Sequence, residues 1–237
     1  IQKVRTKDAE VETDYVVAAA DYQHVEQKLL PFQFRMYSNK YWETRTLSPS
    51  SLLYMIGVDK KISGLEHHTL FFDEDLRTHA HSIYEEPEWP HAPAIYLSCT
   101  SKTDADAAPD GMENIFALIP VASGLSDTTE IREQYFNLII DKIEFLTGEK
   151  LRGHIVLKKS YAQSDFINDY NAYKGNAYGL ANTLLQTAFL KPKMKSNKVS
   201  NLYFSGQLTV PGPGVPPAII SGKITSTLVE KAELKRK

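Results

Sequence analysis

The stretch FSGQLTVPGPGVPPAIISGKI, residues 204–224, connects a short apolar strand pattern to the beginning of a helix pattern. Between residues 206 and 217 it holds four of the chain's twelve prolines and three of its twelve glycines. Glycine adopts backbone conformations that other residues avoid, whereas proline fixes φ and suits the first turn of a helix. The stretch therefore predicts a strand, a tight turn and then a helix over residues 217–234.

The predicted turn has chemical features of its own. The first residues of a helix carry free backbone amides and a partial positive charge, and glycines leave room for another body against the backbone. Prolines have no amide hydrogen, so the available donors are Gly212, Gly214, Val215, Ala218 and Ile219. From these residues alone, a ligand-contacting turn and a strand-to-helix turn without a ligand are equally good interpretations.

Outward from this stretch, strand and helix patterns interleave without a regular period. The clearest helix covers residues 129–147, where apolar side chains recur on one helical face before Gly148. A second helix is predicted within residues 171–191, ending before Pro192. Several strand patterns are separated by turn signals alone. The prediction is an α/β fold of α+β character, with a mixed, largely antiparallel sheet and helices on one side.

Composition limits the function classes. The chain has 237 residues, 42% of them hydrophobic, and a formal net charge of −2, so it offers no general attraction for nucleic acid. Its single cysteine, Cys99, excludes an intrachain disulfide and favours a cytoplasmic location. No apolar run approaches the ~20 residues of a membrane span. Because the chain begins with Ile1 in a strand pattern, we interpret it as the C-terminal part of a longer protein.

Motifs for metal or nucleophilic chemistry are absent from the sequence. The neighbours His67 and His68 point to opposite faces of a predicted strand and cannot hold one ion together, so no metal site is predicted. Cys99 lies in an apolar strand pattern, where cysteine usually acts as a small hydrophobic residue. There is no GxGxxG, Walker-type or GxSxG sequence. His67, His68 and Glu66 are weak candidates for acid–base chemistry.

The stretch NLYFSGQLTVPGPGVPPAIISGK, residues 201–223, resembles the C-terminal flavin-contacting motif of the bacterial and fungal type phytoene desaturases, the carotenoid dehydrogenases. The matching residues are Thr209, Pro211, Gly212, Gly214, Val215 and Pro216. Val210 stands where the family usually has histidine, and Pro217 where it has glycine or another small residue. Residues 12–30, 37–72 and 171–193 resemble three further blocks in the family's order.

The resemblance implies FAD as the cofactor and a chain that is about half of the enzyme. It implies that residues 1–24 end an FAD-binding domain, 25–195 form the substrate domain, and 196–237 supply the closing strand and helix of the Rossmann-like FAD-binding domain. The N-terminal GxGxxG half is absent, so the fragment alone is expected to bind FAD poorly and to be inactive. The implied flavin contacts are Gly206, Gln207, Pro211, Gly212, Gly214, Val215, Pro216 and Ala218.

The resemblance also implies desaturation of phytoene or a related precursor, by hydride transfer from an allylic carbon to FAD. Such a long polyene needs an apolar tunnel, with candidate lining from Leu53, Tyr54, His68, Leu70, Tyr173 and Tyr178. The aromatic stretch at residues 31–42 fits either a peripheral membrane contact or a packed loop. The alternatives are a later-step carotenoid or other polyene oxidoreductase and, from a different class, a cofactor-free carrier of hydrophobic ligands.

Overall fold

The computed structural model describes residues 1–72 and 75–236. Two compact units share them: a terminal unit, formed by Ile1–Ser48 and Ile167–Lys237, and a central unit, Pro49–Phe166. The predicted functional domains divide the chain elsewhere, after residues 24 and 195. The two compact units are defined by packing, whereas the functional domains would be defined by contacts with a ligand. The division into FAD-binding and substrate domains therefore stays a prediction.

The described residues form strands of three to nine residues and two long helices. The strands are β1 (Lys3–Arg5), β2 (Glu10–Glu12), β3 (Val16–Ala18), β4 (Ser50–Val58), β5 (His68–Phe71), β6 (Ile95–Ser98), β7 (Glu113–Val121), β8 (Ile155–Tyr161) and β9 (Leu202–Phe204). The helices are α1 (Tyr22–His24), continued by a π-helical turn at Val25–Leu29, α2 (Asn39–Glu43), α3 (Leu76–Tyr84), α4 (Thr129–Thr147), α5 (Gln163–Tyr170) and α6 (Val215–Leu234). The charged segment at residues 73–84 predicts a helix; α3 covers Leu76–Tyr84, and the segment's first two residues, Asp73 and Glu74, lie outside the described residues.

The central unit contains a five-stranded sheet in the order β5-β6-β7-β4-β8, and every pairing in it is antiparallel. In β7, every second residue from Glu113 to Val121 is buried, and in β4 the side chains of Leu52, Tyr54 and Ile56 are buried on one face. On the other face Leu53, Met55 and Gly57 are half-buried, although the unbroken apolar run at residues 51–58 is typical of a strand buried on both faces. The predicted antiparallel sheet is confirmed.

Helix α4 covers the buried face of this sheet. Its side chains Tyr135, Phe136, Ile139, Ile140 and Ile143 are buried in one hydrophobic cluster with the sheet residues. The helix begins at Thr128, whose side chain accepts a hydrogen bond from the amide of Ile131, and ends at Gly148, which has a φ of 70°. Both ends and the buried face follow the sequence prediction, because local capping and a periodic apolar stripe agree.

The terminal unit is built around a parallel pairing of β3 with β9. Tyr22 stacks on Phe204 at a ring-centroid distance of 3.8 Å, and both belong to a buried cluster with Trp42. Helix α6 has the opposite pattern to a typical amphipathic helix, because Ser221 and Thr225 are its buried residues while apolar side chains such as Val215 and Ile219 are exposed. No helix in residues 1–72 and 75–236 has the length and apolarity needed to cross a bilayer.

The prediction of a helix within residues 171–191 is wrong. The segment holds only the 3-10 turns Tyr173–Gly175 and Ala188–Leu190. Gly179 and Ala188 have φ values of 69° and 48°, which interrupt a right-handed helix. The apolar side chains that suggested a helical stripe, among them Leu184 and Phe189, are each 90% exposed, so no packing stabilises a helix here.

Candidate functional site

The turn between β9 and α6 runs through residues 205–214 with three glycines in conformations that other residues avoid. Gly206, Gly212 and Gly214 have φ values of 107°, 132° and 111°, and the Val210–Pro211 peptide bond is cis. Helix α6 then begins at Val215, followed by Pro216 and Pro217. The sequence prediction of a strand, a glycine and proline turn, and a helix is confirmed, with the helix beginning two residues earlier than predicted.

Two hydroxyl groups of α6 attach the helix to the end of β9. The Ser221 hydroxyl accepts a hydrogen bond from the amide of Gly206 at 2.9 Å and donates to the carbonyl of Ala218 at 2.6 Å. The Thr225 hydroxyl donates to the carbonyl of Phe204 at 3.0 Å. Sequence reasoning missed both residues. The available signal was their spacing of four, which places two small polar residues on one face of an otherwise apolar helix.

A loop at residues 173–180 lies against the turn. Asn176 is buried, and its side-chain oxygen accepts hydrogen bonds from the Gly179 amide at 2.9 Å and from the Gln207 side chain at 3.1 Å. A Cβ on Gly179 would lie 2.9 Å from the Gln207 carbonyl oxygen. The Asp21 side chain caps α1 and accepts the Tyr173 amide at 3.1 Å. These contacts bring Gln207, a predicted flavin contact, to the edge of the loop.

The turn presents backbone amides without an acceptor. Among the described residues, none accepts a hydrogen bond from the amides of Gly212, Gly214 or Val215. The amide of Ala218 donates to the carbonyl of Gly214 at 2.9 Å, so it is not a free donor as its place in the sequence suggested. Pro216 and Pro217 have no amide hydrogen. Among Val215, Pro216, Pro217 and Ala218, only Val215 therefore has a free amide donor.

These features fit a flavin. A flavin edge presents ring nitrogen and carbonyl oxygen atoms that accept hydrogen bonds, and the three free amides are matching donors. Val215 and the start of α6 are exposed, and Gly214 leaves its backbone uncovered by a side chain. The amides of Gly212, Gly214 and Val215 are therefore available to such a group, and Pro211 and Pro216 fix φ in the turn and at the start of α6.

The candidate substrate residues fall into both units. Tyr173 and Tyr178 belong to the terminal unit, and Tyr178 is 39% exposed. Leu53 and Tyr54 are neighbours on β4 in the central unit and face opposite sides of the sheet. Tyr54 is buried in the core and donates from its hydroxyl to the Arg132 carbonyl, and burial raises the pKa of that hydroxyl. Leu53 and Tyr54 therefore do not line one surface together.

The weak acid–base candidates lie at the edge strand of the central unit. The His67 side chain is hydrogen-bonded to the Thr103 hydroxyl at 2.6 Å, and His68 to the Tyr96 hydroxyl at 2.8 Å. His68, Leu70 and Glu66 are exposed. The two histidine rings lie 4.2 Å apart, measured between ring centroids, so the expectation that they point to opposite faces of one strand is wrong, because His67 precedes β5; neither histidine has a carboxylate partner among the described residues.

The described residues offer neither a metal-binding cluster nor a reactive cysteine. The described part of the chain holds no cluster of three or more histidine, cysteine, aspartate or glutamate residues able to bind a metal ion. Cys99 is buried within the sheet core of the central unit, as its apolar sequence context predicts. Burial raises the pKa of the Cys99 thiol, which disfavours the reactive thiolate.

Comparison of the sequence with curated proteins reveals several relatives. The chain is 47% identical over 213 residues to a carotenoid 3,4-desaturase of Haloarcula japonica, a match that covers 90% of this chain and 43% of the relative. It is 32% identical to a 4,4'-diaponeurosporene oxygenase of Staphylococcus aureus over 81% of the chain and 40% of the relative. It is 30% identical to a 4,4'-diapophytoene desaturase of the same species over 90% of the chain and 44% of the relative.

Solved structures share the fold. An oxidoreductase from Methanosarcina mazei matches 94% of this chain with a TM-score of 0.53 at 13% identity. A putative protoporphyrinogen oxidase from Exiguobacterium matches 98% with a TM-score of 0.53 at 16% identity. In each case the match covers 44% of the solved chain. No protein-family model matches the chain.

The chain thus spans less than half the length of the curated relatives it matches, and the shared region includes about nine-tenths of its own residues. The resemblance to carotenoid dehydrogenases, stated for residues 201–223 and three other blocks, is confirmed as sequence similarity to carotenoid desaturases. The sequence is homologous, over about 90% of its length, to part of the carotenoid desaturases.

Proposed function

We infer that this chain is part of an FAD-dependent enzyme that desaturates a carotenoid or a carotenoid precursor. The observation that carries this inference is the row of free amides at Gly212, Gly214 and Val215, in a chain of which 90% is similar to relatives named as carotenoid desaturases. FAD, when bound, would accept a hydride from an allylic carbon of the polyene, which also loses a proton to form the new double bond.

The chain's own contribution is placement and electrostatics. The three amides would donate hydrogen bonds to the edge of the flavin that gains negative charge on reduction, and the beginning of α6 adds a partial positive charge there. Ser221 and Thr225 keep α6 on the end of β9, so the amides stay in one position relative to the strand. Preorganised donors are effective because no reorganisation is needed when charge develops.

Removing one amide tests this role in the full-length protein. Val215→Pro removes the amide hydrogen at the first helical position, where proline is well tolerated, and also replaces the side chain. Val215→Ala is the matched control, since it shortens the side chain and keeps the amide. We expect Val215→Pro to lower FAD affinity or the rate of flavin reduction by about tenfold, the size of one hydrogen bond to a charged group. A Val215→Pro protein with normal FAD content and normal rate would contradict the inference.

A second variant tests the space at the turn. Gly214 has a φ of 111° and a Cβ there would lie 3.3 Å from the Pro217 Cδ atom. Gly214→Val should therefore obstruct flavin seating as well as strain the turn. Gly222→Val is the control, because nothing lies within 4 Å of its added Cβ. We expect purified Gly214→Val protein to lose the flavin absorbance and purified Gly222→Val protein to retain it.

The substrate class is the next part of the proposal. The relative with 47% identity is a carotenoid 3,4-desaturase, which favours a polyene that is already partly desaturated over the earliest precursor. Liposomes that carry phytoene or a more conjugated carotene, incubated with the full-length holoprotein, distinguish the two, because each new conjugated double bond shifts product absorbance to longer wavelength. A protein that binds the polyene but has no flavin absorbance would support the carrier alternative.

Membrane contact and a cytoplasmic location are also proposals. Phe32 is 80% exposed and Phe34 is 41% exposed in a short 3-10 turn beside Arg35, an arrangement suited to a bilayer interface. Trp42, from the same aromatic stretch, is buried in the core of the terminal unit and is not available for such contact. In a liposome flotation assay we expect Phe32→Ser to reduce binding and Phe145→Ser, a change at a 91% exposed side chain, to leave it unchanged.

A further inference from the structure

Lys191 is a buried lysine beside the flavin-contacting turn. Its exposed fraction is 3%, although lysine is almost never fully buried without a charged partner. Its ammonium group makes one hydrogen bond within the described part of the chain, a long one of 3.5 Å to the Leu180 carbonyl, and no ion pair with any described carboxylate. Three donor hydrogens therefore share a single weak acceptor.

The burial of this group is unfavourable in the chain as it stands. Removing an ammonium ion from water costs several kcal/mol unless hydrogen bonds and an opposite charge offset the loss. Burial lowers the pKa of Lys191, with no nearby anion to oppose the effect. The neighbouring Lys193 and Lys195 are exposed, so the burial belongs to this position and not to the basic segment as a whole.

The position of the ammonium group is specific. A Cβ built on Gly212 would lie 3.4 Å from the Lys191 Cε atom and 3.5 Å from its Nζ atom, and 3.5 Å from the Asn182 side-chain oxygen. Gly212 is one of the three residues whose amides have no acceptor among the described residues. The buried Lys191 ammonium group thus lies beside Gly212, a residue whose own amide is a free donor.

This combination has the composition of an anion site. An ammonium group with backbone amides beside it binds an anionic oxygen through charge-assisted hydrogen bonds, which are about twice as strong as neutral ones. A side chain at position 212 would occupy the space directly beside the Nζ atom. A purely structural lysine would instead be expected to point its ammonium group at a carboxylate or at several carbonyl groups.

We propose that Lys191 is a flavin-nucleotide binding residue, whose ammonium group contacts an anionic oxygen of the cofactor held in the turn at residues 205–214. This inference rests on the proposed function. The anionic oxygen belongs either to the reduced flavin ring or to the diphosphate, and both sources require the same chemistry of Lys191.

The test uses the full-length protein with Lys191→Met, which keeps the side-chain length and removes the charge. Lys191→Arg keeps the charge, and Lys193→Met removes an exposed charge from the same segment. Two dissociation constants are measured: that of FAD from the apoprotein, and that of sulfite from the holoprotein. Sulfite adds to the oxidised flavin and leaves negative charge on the ring, so its affinity reports the cation nearby.

A contact with the flavin ring predicts that Lys191→Met raises the sulfite dissociation constant about tenfold, the size of one charge-assisted hydrogen bond. A contact with the diphosphate predicts a similar rise in the FAD dissociation constant, with sulfite affinity unchanged in the holoprotein that forms. In both cases Lys193→Met behaves as wild type, and Lys191→Arg lies closer to wild type than Lys191→Met does.

The melting temperature of the apoprotein distinguishes a cofactor-binding role of Lys191 from a structural role. Replacement of an unpaired buried charge by an apolar side chain of similar size is expected to leave the melting temperature unchanged or to raise it. A Lys191→Met apoprotein that melts lower or fails to fold would overturn the proposal, as would both dissociation constants within twofold of wild type. If the wild-type full-length protein binds no FAD, the proposed function itself fails, which is a different result.

Discussion

The Ser221 hydroxyl accepts the hydrogen bond of the Gly206 amide at 2.9 Å, across fifteen residues of turn and helix. The same hydroxyl lies 2.9 Å from that of Ser205 and donates to the Ala218 carbonyl. Ser221 is fully buried, so water does not replace these contacts. This one side chain therefore couples the end of β9 to the first turns of α6, and the geometry of the free amides depends on it.

Replacement of Ser221 by alanine should destabilise the chain by about 1–3 kcal/mol, because the amide of half-buried Gly206 loses its acceptor. Ser226→Ala is the control: that hydroxyl donates to the Lys223 carbonyl on the exposed side of the same helix, and its loss should change stability by less than about 0.5 kcal/mol. Urea unfolding of both variants measures the difference. Equal effects of the two changes would show that Ser221 does not fix the turn.

A methyl group at Gly179 should separate the loop from the turn. Its φ of 69° and the 2.9 Å approach to the Gln207 carbonyl oxygen together make alanine cost about 2 kcal/mol or more. Gly222→Ala lies in open space inside α6 and should stabilise the chain by up to about 1 kcal/mol. Thermal melts of the two variants should therefore shift in opposite directions; a neutral Gly179→Ala would mean that the loop moves freely away from Gln207.

Glu26 should make the stability of the terminal unit depend on pH. Its buried carboxylate accepts the amides of Met36 at 2.8 Å and Tyr37 at 3.2 Å, and burial raises its pKa from 4.5 to about 7. The folded state then holds a proton that the unfolded state releases. The free energy of unfolding should fall by at most about 3 kcal/mol as the pH rises from 4.5 to 7, and level off above that.

The measurement for Glu26 is urea unfolding between pH 4.5 and 8, with Glu26→Gln as the comparison. The glutamine variant cannot titrate at this position, so the difference between the two proteins isolates this carboxyl from other groups. A difference that does not change across this pH range would contradict the prediction. If wild type instead becomes more stable relative to Glu26→Gln as the pH rises, the predicted sign of the pH dependence is wrong.

Arg132 in the central unit should be needed to compensate the buried Asp127. The Arg132 Nε atom donates to Asp127 at 3.0 Å, and its guanidinium group also pairs with Asp165 at 2.8 Å. The Asp127 side chain is only 4% exposed. Arg132→Met should therefore cost about 3–5 kcal/mol, because it leaves a buried carboxylate without its cation.

A double-mutant cycle tests this pair. Asp127→Asn in the Arg132→Met background removes the uncompensated charge and should recover part of the loss. Asp127 also accepts the Ser164 amide at 3.1 Å, so recovery should be incomplete. Arg152→Met, at a half-exposed arginine that pairs with Asp141, should change stability by less than about 1 kcal/mol. Additive effects of the Asp127 and Arg132 changes would contradict a direct coupling.

Local patterns predicted several elements of this fold correctly. Helix α4 was predicted with its cap at Gly148, since its apolar stripe and its stop signal are neighbours in sequence. The strand, turn and helix around Gly212 were predicted for the same reason. The helix predicted within residues 171–191 was wrong. The Gln186 side chain there forms hydrogen bonds with the backbone of Thr46 and with the Ala181 carbonyl, contacts that no local pattern indicates.

By itself the sequence determined the glycine and proline turn, the antiparallel character of the central sheet and the relation to carotenoid desaturases, since each depends on neighbouring residues or on residue order. Only the tertiary structure decided that Asn176 and Gly179 hold a loop against Gln207, and that Lys191 is buried beside Gly212. Burial and hydrogen-bond partners depend on which distant segments meet, and Gly212 acquires its buried cation from a residue in a separate segment upstream of β9.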